Sequence, residues 1–479
     1  MQQSRWSVIF SWKLLDKYCL SVVALISLFT TIFIYYSYGK VLSVETLTVI
    51  WNARNNPSTV LEFFLYPFVF FKQGELLYLV LINLSLTLGF VYFAELLGIG
   101  RRTLFFVFLL FNYSLEYNDI RLEIDAEQVF TLLWLLANIA FVRNFEKRPD
   151  LAVIYWCIFI SFGVLFSSLA LIWAVFFPLF FLFLFRKPWQ KFYSIKWSKI
   201  TKIILTYYIL LLLLMLFIPH CRNNIVFIFQ QIVTNFNNSS LEMSLFFNNT
   251  GAMSPDFANI VLIALAIVLL NLAYISGVLV LFTIWLSLSL KMTSVVSSKK
   301  RMFLYLNLVF FVFSAGIYLL YNSHLPSETA FISAFLILLL LYSSNACYYI
   351  SSRLVNNDIK PERLMIFIWL FVAYAFASMI KFGPSDGYLK QAGQWAKNHN
   401  YTVFSDNKTA LFYAGKSPDI ISENYISLLE FNAKQEYHNP VYIFNKNRHR
   451  ELTNELDNFE IIQEFSNKHG NTAYIIRIK

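Results

Sequence analysis

The sequence predicts a polytopic α-helical membrane protein of about eleven to thirteen spans, with a small α/β domain outside the membrane at its C-terminal end. Three observations predict it. The 479-residue chain is 58% hydrophobic, 19% aromatic and only 14% charged, too little charge for the surface of a soluble protein of this length. Its apolar residues come in long blocks, and about 20 such residues in a helix cross a hydrocarbon core of about 30 Å. From Phe382 onward the blocks stop and a mixed polar sequence runs to Lys479.

The spans fall at roughly 18–37, 76–96, 103–114, 127–142, 151–165, 169–185, 203–219, 260–290, 302–321, 329–348 and 364–380. The first follows a basic start. Its apolar run, Tyr18 to Tyr36, exceeds a signal-peptide core and lacks a small-residue cleavage site, so it reads as an uncleaved span. Residues 38–75 are semi-apolar with charges set among aromatics, which suits short helices lying at the membrane interface. The Asn-rich stretch 220–256 reads as a flexible polar loop. Two domains are expected, 1–381 in the membrane and 382–479 outside it. In the second, "SDGYLKQAGQWAKNHN" has helical spacing, with Leu389, Ala392 and Ala396 on one side. "YTVFSD", "ALFYAG", "PVYIFN" and "TAYIIRIK" read as short strands between polar turns.

Charge sets the expected orientation. Residues 382–479 hold 11 Lys/Arg and 11 Asp/Glu, so the net +10 lies wholly in the first 381 residues, with 27 basic and 17 acidic side chains. With the N-terminus inside, 21 of those 27 basic residues fall in inner segments and 11 of the 17 acids fall outside. The alternation marks a membrane topology and not a nucleic-acid surface. Cys19, Cys157, Cys221 and Cys347 lie in or near apolar spans, with no spacing that suggests a disulfide or a metal knuckle.

One stretch stands out, "EYNDIRLEIDAEQVFTLLWLLANIAFVR" from Glu116 to Arg143. Glu116, Asp119, Glu123, Asp125 and Glu127 crowd its start with Arg121, and the residues from Gln128 to Val142 carry no charge. Helix capping accounts for part of this, with Asp125 as N-cap and Gln128 at the third helical position. Acids in a first turn also suit the helix dipole. Capping leaves Asp119, Arg121 and Glu123 unexplained. If the approach is extended, Arg121, Glu123 and Asp125 share one face opposite Ile120, Leu122 and Ile124, forming a polar pocket at the membrane surface.

The run "RRTLFFVFLLFNYSLEYNDIRLEIDAEQVFTLLWLLANIAFVR" resembles the third-and-fourth-span region of polytopic glycosyltransferases with the GT-C fold. The bacterial members it resembles most are the lipid A aminoarabinose transferase and the protein O-mannosyltransferases. "VETLTVIWNARNN" stands where that family carries its first-loop acid, with Val44-Glu45 in place of an Asp-Glu pair. "SFGVLFSSLALIWAVFFPLFFLFLFRK", "SHLPSETAFISAFLILLLL" and "GYLKQAGQWAKNHNYTVFSDNKTALFYAG" resemble later family segments, the last of them the start of the outer domain.

The resemblance implies transfer of a sugar from a polyprenyl phosphate to a lipid or protein acceptor, outside the inner (plasma) membrane and among its lipids. The acceptor hydroxyl must lose a proton, which a carboxylate can take. Glu45 is the leading base and Asp125 the second carboxylate. The leaving lipid phosphate gains charge in the transition state, and Arg121, Lys72 and Arg54 are the candidates to meet it. Glu62 and His324 are weaker candidates for substrate binding. Each also has a plain reading, as an interfacial or solvated side chain. The sequence gives no sign of a required cofactor or metal and leaves a divalent cation undecided. HExxH, P-loop and GxSxG spacings are absent, which disfavours a zinc protease or an ATP-driven pump. Two alternatives remain. A flippase or carrier for lipid-linked oligosaccharide would place ionisable groups near mid-membrane, and these spans carry almost none. An O-antigen ligase would place its chemistry in a late loop between spans, whereas the large late segment here is terminal.

Overall fold

In a computed structural model the chain is described at residues 12–37, 42–71, 73–190, 197–217, 257–322, 325–356, 361–379, 386–420, 422–431, 437, 439–446, 459–467 and 470–479. Lys72, His324, Cys221 and the whole Asn-rich stretch 220–256 lie outside the described residues.

Each apolar block becomes a helix. In chain order these are α1 (Trp12–Ser37), α2 (Val44–Asn55), α3 (Val60–Leu65), α4 (Gly74–Leu96), α5 (Arg101–Asn112), α6 (Leu115–Ile120), α7 (Ala126–Phe145), α8 (Pro149–Val164), α9 (Ser168–Gln190) and α10 (Trp197–Phe217). Then follow α11 (Phe257–Ser289), α12 (Ser298–Asn322), a 3₁₀ turn (Glu328–Phe331), α13 (Ile332–Leu338), a π segment (Leu339–Ser343), α14 (Ser344–Val355) and α15 (Pro361–Met379). Among the described residues six helices are long and apolar enough to cross a membrane, beginning at Lys17, Gly74, Ala126, Leu262, Ser298 and Glu328. Three shorter apolar helices begin at Pro149, Ser168 and Trp369. The residues between the first two long helices form α2 and α3, two short helices as expected of 38–75.

The described chain divides into two compact units. The first holds Met1–Leu28, Ile82–Ile120 and Ala126–Ser378; the second holds Phe29–Leu81, Arg121–Asp125 and Met379–Lys479. The first unit is a helical bundle with an aromatic core. Phe141 stacks on Phe303 at 4.5 Å, and Trp156 on Phe177 at 4.2 Å. Polar side chains cross-link its helices where no water competes. Ser27 bonds Thr87 (2.9 Å), Tyr117 Oη donates to Asn83 Oδ1 (2.8 Å), and Thr283 bonds Ser343 of the π segment (2.6 Å).

The second unit contains the α/β part. Its elements are α16 (Gly387–Asn398), β1 (Thr402–Phe404), α17 (Lys408–Tyr413), α18 (Leu428–Phe431), β2 (Pro440–Asn445), β3 (Phe459–Ser466) and β4 (Thr472–Ile478). The sheet order is β1-β2-β4-β3. β1 and β2 are parallel, in register Val403↔Val441, and β4 runs antiparallel to both its neighbours. Leu389, Ala392 and Ala396 are fully buried, as the spacing of α16 predicts. Alternation along the strands splits the core. Val403, Val441, Ile443 and Ile475 pack with α16 and α17, while Phe404, Tyr442, Phe444 and Ile476 pack with α18. Two strand expectations need correction. "ALFYAG" lies mostly in helix α17, because the Asn407 side chain accepts from the Ala410 N–H (3.1 Å) and caps a helix start. β3 went unpredicted because it is an edge strand, its apolar residues broken by Glu460, Gln463 and Glu464.

Candidate functional site

The sequence candidates that are described lie in the second unit, and α2 organises them. Its N-cap, Ser43, accepts a hydrogen bond from the Thr46 N–H (3.3 Å) and donates one to Thr46 Oγ1 (2.9 Å). Glu45 sits in this first turn and is exposed, with its carboxylate at the positive end of the helix. Thr46 points inward and is buried. Its Oγ1 accepts from the backbone N–H of Ile124 at 2.9 Å. One hydrogen bond thus joins the start of α2 to the 121–125 segment. Glu45 precedes one partner by one residue, and half-buried Asp125 follows the other.

The approach to Asp125 is not the alternating strand that the sequence suggested. α6 ends at Ile120, a turn covers Arg121 and Leu122, and α7 begins at Ala126. Across a turn the two-residue period fails, so Ile120, Arg121 and Leu122 are all buried. Arg121 is 0% exposed, and its Nη1 donates to Thr31 Oγ1 of α1 at 3.3 Å. Gln128 Nε2 donates to the Ile120 carbonyl (2.9 Å). Its Oε1 accepts nothing from the described residues, so the reciprocal half of the expected capping box is not made.

The other candidates separate from this pair. Arg54 is exposed in the last turn of α2, nine residues beyond Glu45, or about 14 Å along the axis at 1.5 Å per residue. Glu62 is buried and used structurally. With Thr59 it forms a capping box at the start of α3. Its Oε2 accepts from Ser58 N (2.7 Å), Ser58 Oγ (3.0 Å) and Thr59 N (2.9 Å), and its Oε1 from Asn52 Nδ2 (3.3 Å). Burial pushes this carboxyl up, but the Ser58 and Thr59 amides outweigh it and hold the group below the usual carboxylate range. The geometry assigns Glu62 to tying α3 onto α2.

Sequence reasoning missed several neighbours. Tyr78 of α4 is 2% exposed, within electrostatic reach of Asp125, and covered edge-on by Phe64 and Phe68. One turn earlier, Glu75 accepts from Tyr35 Oη at 2.9 Å. Tyr413 of α17 lies near the same carboxylate. Burial first, and then the Glu75 charge, raise its phenol above the ordinary tyrosine value. Trp51 of α2 meets Phe412 edge-on at 6.3 Å, which packs α2 against α17. The spacing of Glu75 and Tyr78, three residues apart at the start of a span, was the available signal for part of this. Tyr35 and Tyr413 carried none, being over 370 residues apart in the chain.

The unit holds an exposed carboxylate, Glu45, and a half-buried one, Asp125, on segments joined by the Thr46–Ile124 hydrogen bond. Such a set can take a proton from a hydroxyl nucleophile and orient it. Among the described residues no group of three or more His, Cys, Asp or Glu could hold a metal ion. No family model, curated protein or solved structure matches the chain.

Proposed function

We propose that the chain is a multi-pass membrane glycosyltransferase. In this reading it moves a sugar from a polyprenyl-phosphate carrier to a lipid or protein hydroxyl, on the outer side of the inner (plasma) membrane. The observation that carries the reading is the Ile124–Thr46 hydrogen bond, which brings the Glu45 and Asp125 segments into one compact unit. Support also comes from the sequence resemblance and from the six apolar helices. Glu45 is the base. Asp125 orients the acceptor. Lys72 and Arg121 are the cations assigned to the lipid phosphate. Arg121 is buried, so in this role it acts on a phosphate drawn into the unit. The purified protein, given a polyprenyl-phosphate-linked sugar, should release or transfer the sugar. Removing a general base costs about 10²–10⁴ in rate. Glu45→Gln and Asp125→Asn should each fall by that order while still inserting and folding. Asn also caps helices well, so normal transfer by Asp125→Asn would leave Asp125 a capping residue only.

A second reading, a carrier for lipid-linked oligosaccharide, draws on one feature of the first unit. α11 is broken at Gly277 (φ 67°, ψ 162°), and interrupted spans are what carriers use. Movement of a lipid-linked sugar across vesicles, with no sugar transferred, would select this reading.

A further inference from the structure

The core of the first unit holds polar groups that the candidate site does not use. On α7, Trp134, Asn138 and Phe141 are spaced four and three residues apart and share a face. On α12, Phe303, Asn307 and Phe310 do the same. The two faces run in opposite order, touching at one end and bridged by α9 at the other. Phe141 stacks on Phe303 with ring centres 4.5 Å apart. At the other end Trp173 of α9 meets Trp134 at 6.3 Å and Phe310 at 4.8 Å. Along its own helix each of Asn138 and Asn307 sits between these two aromatic contacts, and both are 0% exposed.

Each amide is tied by its nitrogen alone. Asn138 Nδ2 donates to the Trp134 carbonyl (2.8 Å), and Asn307 Nδ2 to the Phe303 carbonyl (2.9 Å). These bonds settle which end is nitrogen, because turning either amide over would set oxygen against oxygen. Neither Oδ1 accepts a hydrogen bond from any described residue. The indole N–H groups of Trp134, Trp156 and Trp173, three rings linked through Trp173, are buried and have no acceptor among the described residues. Trp156 and Trp173 lie 6.5 Å apart, centre to centre.

The set therefore offers two acceptors and three donors in an apolar core. Its ligand must give hydrogens to the amides and accept from the indoles. Water does both, and trapped waters typically make two to four such bonds. A metal cation does not fit, since two oxygens are too few and indole N–H groups turn positive ends toward it. We propose that Asn138 and Asn307, with the Trp134, Trp156 and Trp173 indoles, form a binding site for trapped water inside the helical core. This is independent of the glycosyltransferase reading.

Hydroxyl-radical footprinting by X-ray radiolysis of the full chain in detergent tests it, because radicals form where water is. Trp134 and Trp173 should be oxidised at rates comparable to half-buried Trp395 of the α/β part, although they are 1% and 0% exposed. An Asn138→Leu/Asn307→Leu protein removes both acceptors together. It should stay folded and lose the labelling of both tryptophans. Unlabelled Trp134 and Trp173 in the parent protein would overturn the proposal, as would unchanged labelling in the folded double variant. The parent measurement needs no variant, so it decides even if the substitutions prevent folding.

Discussion

Thr46 shows how much of the candidate site rests on one hydroxyl. Its Oγ1 is the acceptor for the Ile124 N–H, and a buried amide left without an acceptor costs about 1–3 kcal/mol. Thr46→Val should lower thermal stability by that order, speed hydrogen exchange at the Ile124 amide and reduce sugar transfer. Thr46→Ser, which keeps the oxygen, should restore most of each. Glu62 gives a different test. Its folded pKa is lowered from the ordinary Glu value by the Ser58 and Thr59 amides, so its charge stabilises the fold above the carboxylate range. The stabilisation is lost as pH falls through the folded value. Glu62→Gln should therefore melt lower than the parent near neutral pH, and the gap should close on acidification. A gap that persists in acid would mean the loss is one of packing rather than charge.

At the scale of elements, glycine decides one close approach. A Cβ on Gly393 of α16 would stand 2.5 Å from the Ala410 carbonyl oxygen and 3.0 Å from the Ala414 nitrogen, so α16 packs on α17 backbone to backbone. Gly393→Ala must push the two helices apart, and overpacking of this kind costs about 1–3 kcal/mol. Limited proteolysis should then cut the α/β part faster, with the spans still inserted. Most of the elements were legible beforehand. Apolar blocks became helices because a helix satisfies every internal backbone group without water. The failures were local. α17 was read as a strand because one Asn cap outweighed a β-like composition, and β3 was hidden by the charges that an edge strand carries.

For the whole molecule the testable quantity is topology. The split of basic residues predicts the N-terminus inside and the segment after Lys381 outside. A periplasm-dependent phosphatase fused after Lys479 should be active, and a cytoplasm-dependent reporter at the same place should not. The reverse result would overturn the proposed side of the reaction along with the orientation.

By itself the sequence determined the material of this protein. Helix positions, the change of character near Phe382 and the helical face of α16 follow from composition and period, which are local properties. What only the tertiary structure decided was which side chains meet. Glu62 is a capping acid and not a free carboxylate because Ser58, Thr59 and Asn52 converge on it. Arg121 turns inward because a turn, not a strand, leads to Asp125. The segments that carry Glu45 and Asp125 are joined by a hydrogen bond between Thr46 and Ile124, residues 78 apart in the chain. No local pattern records such a bond, because its partners lie far apart in the sequence.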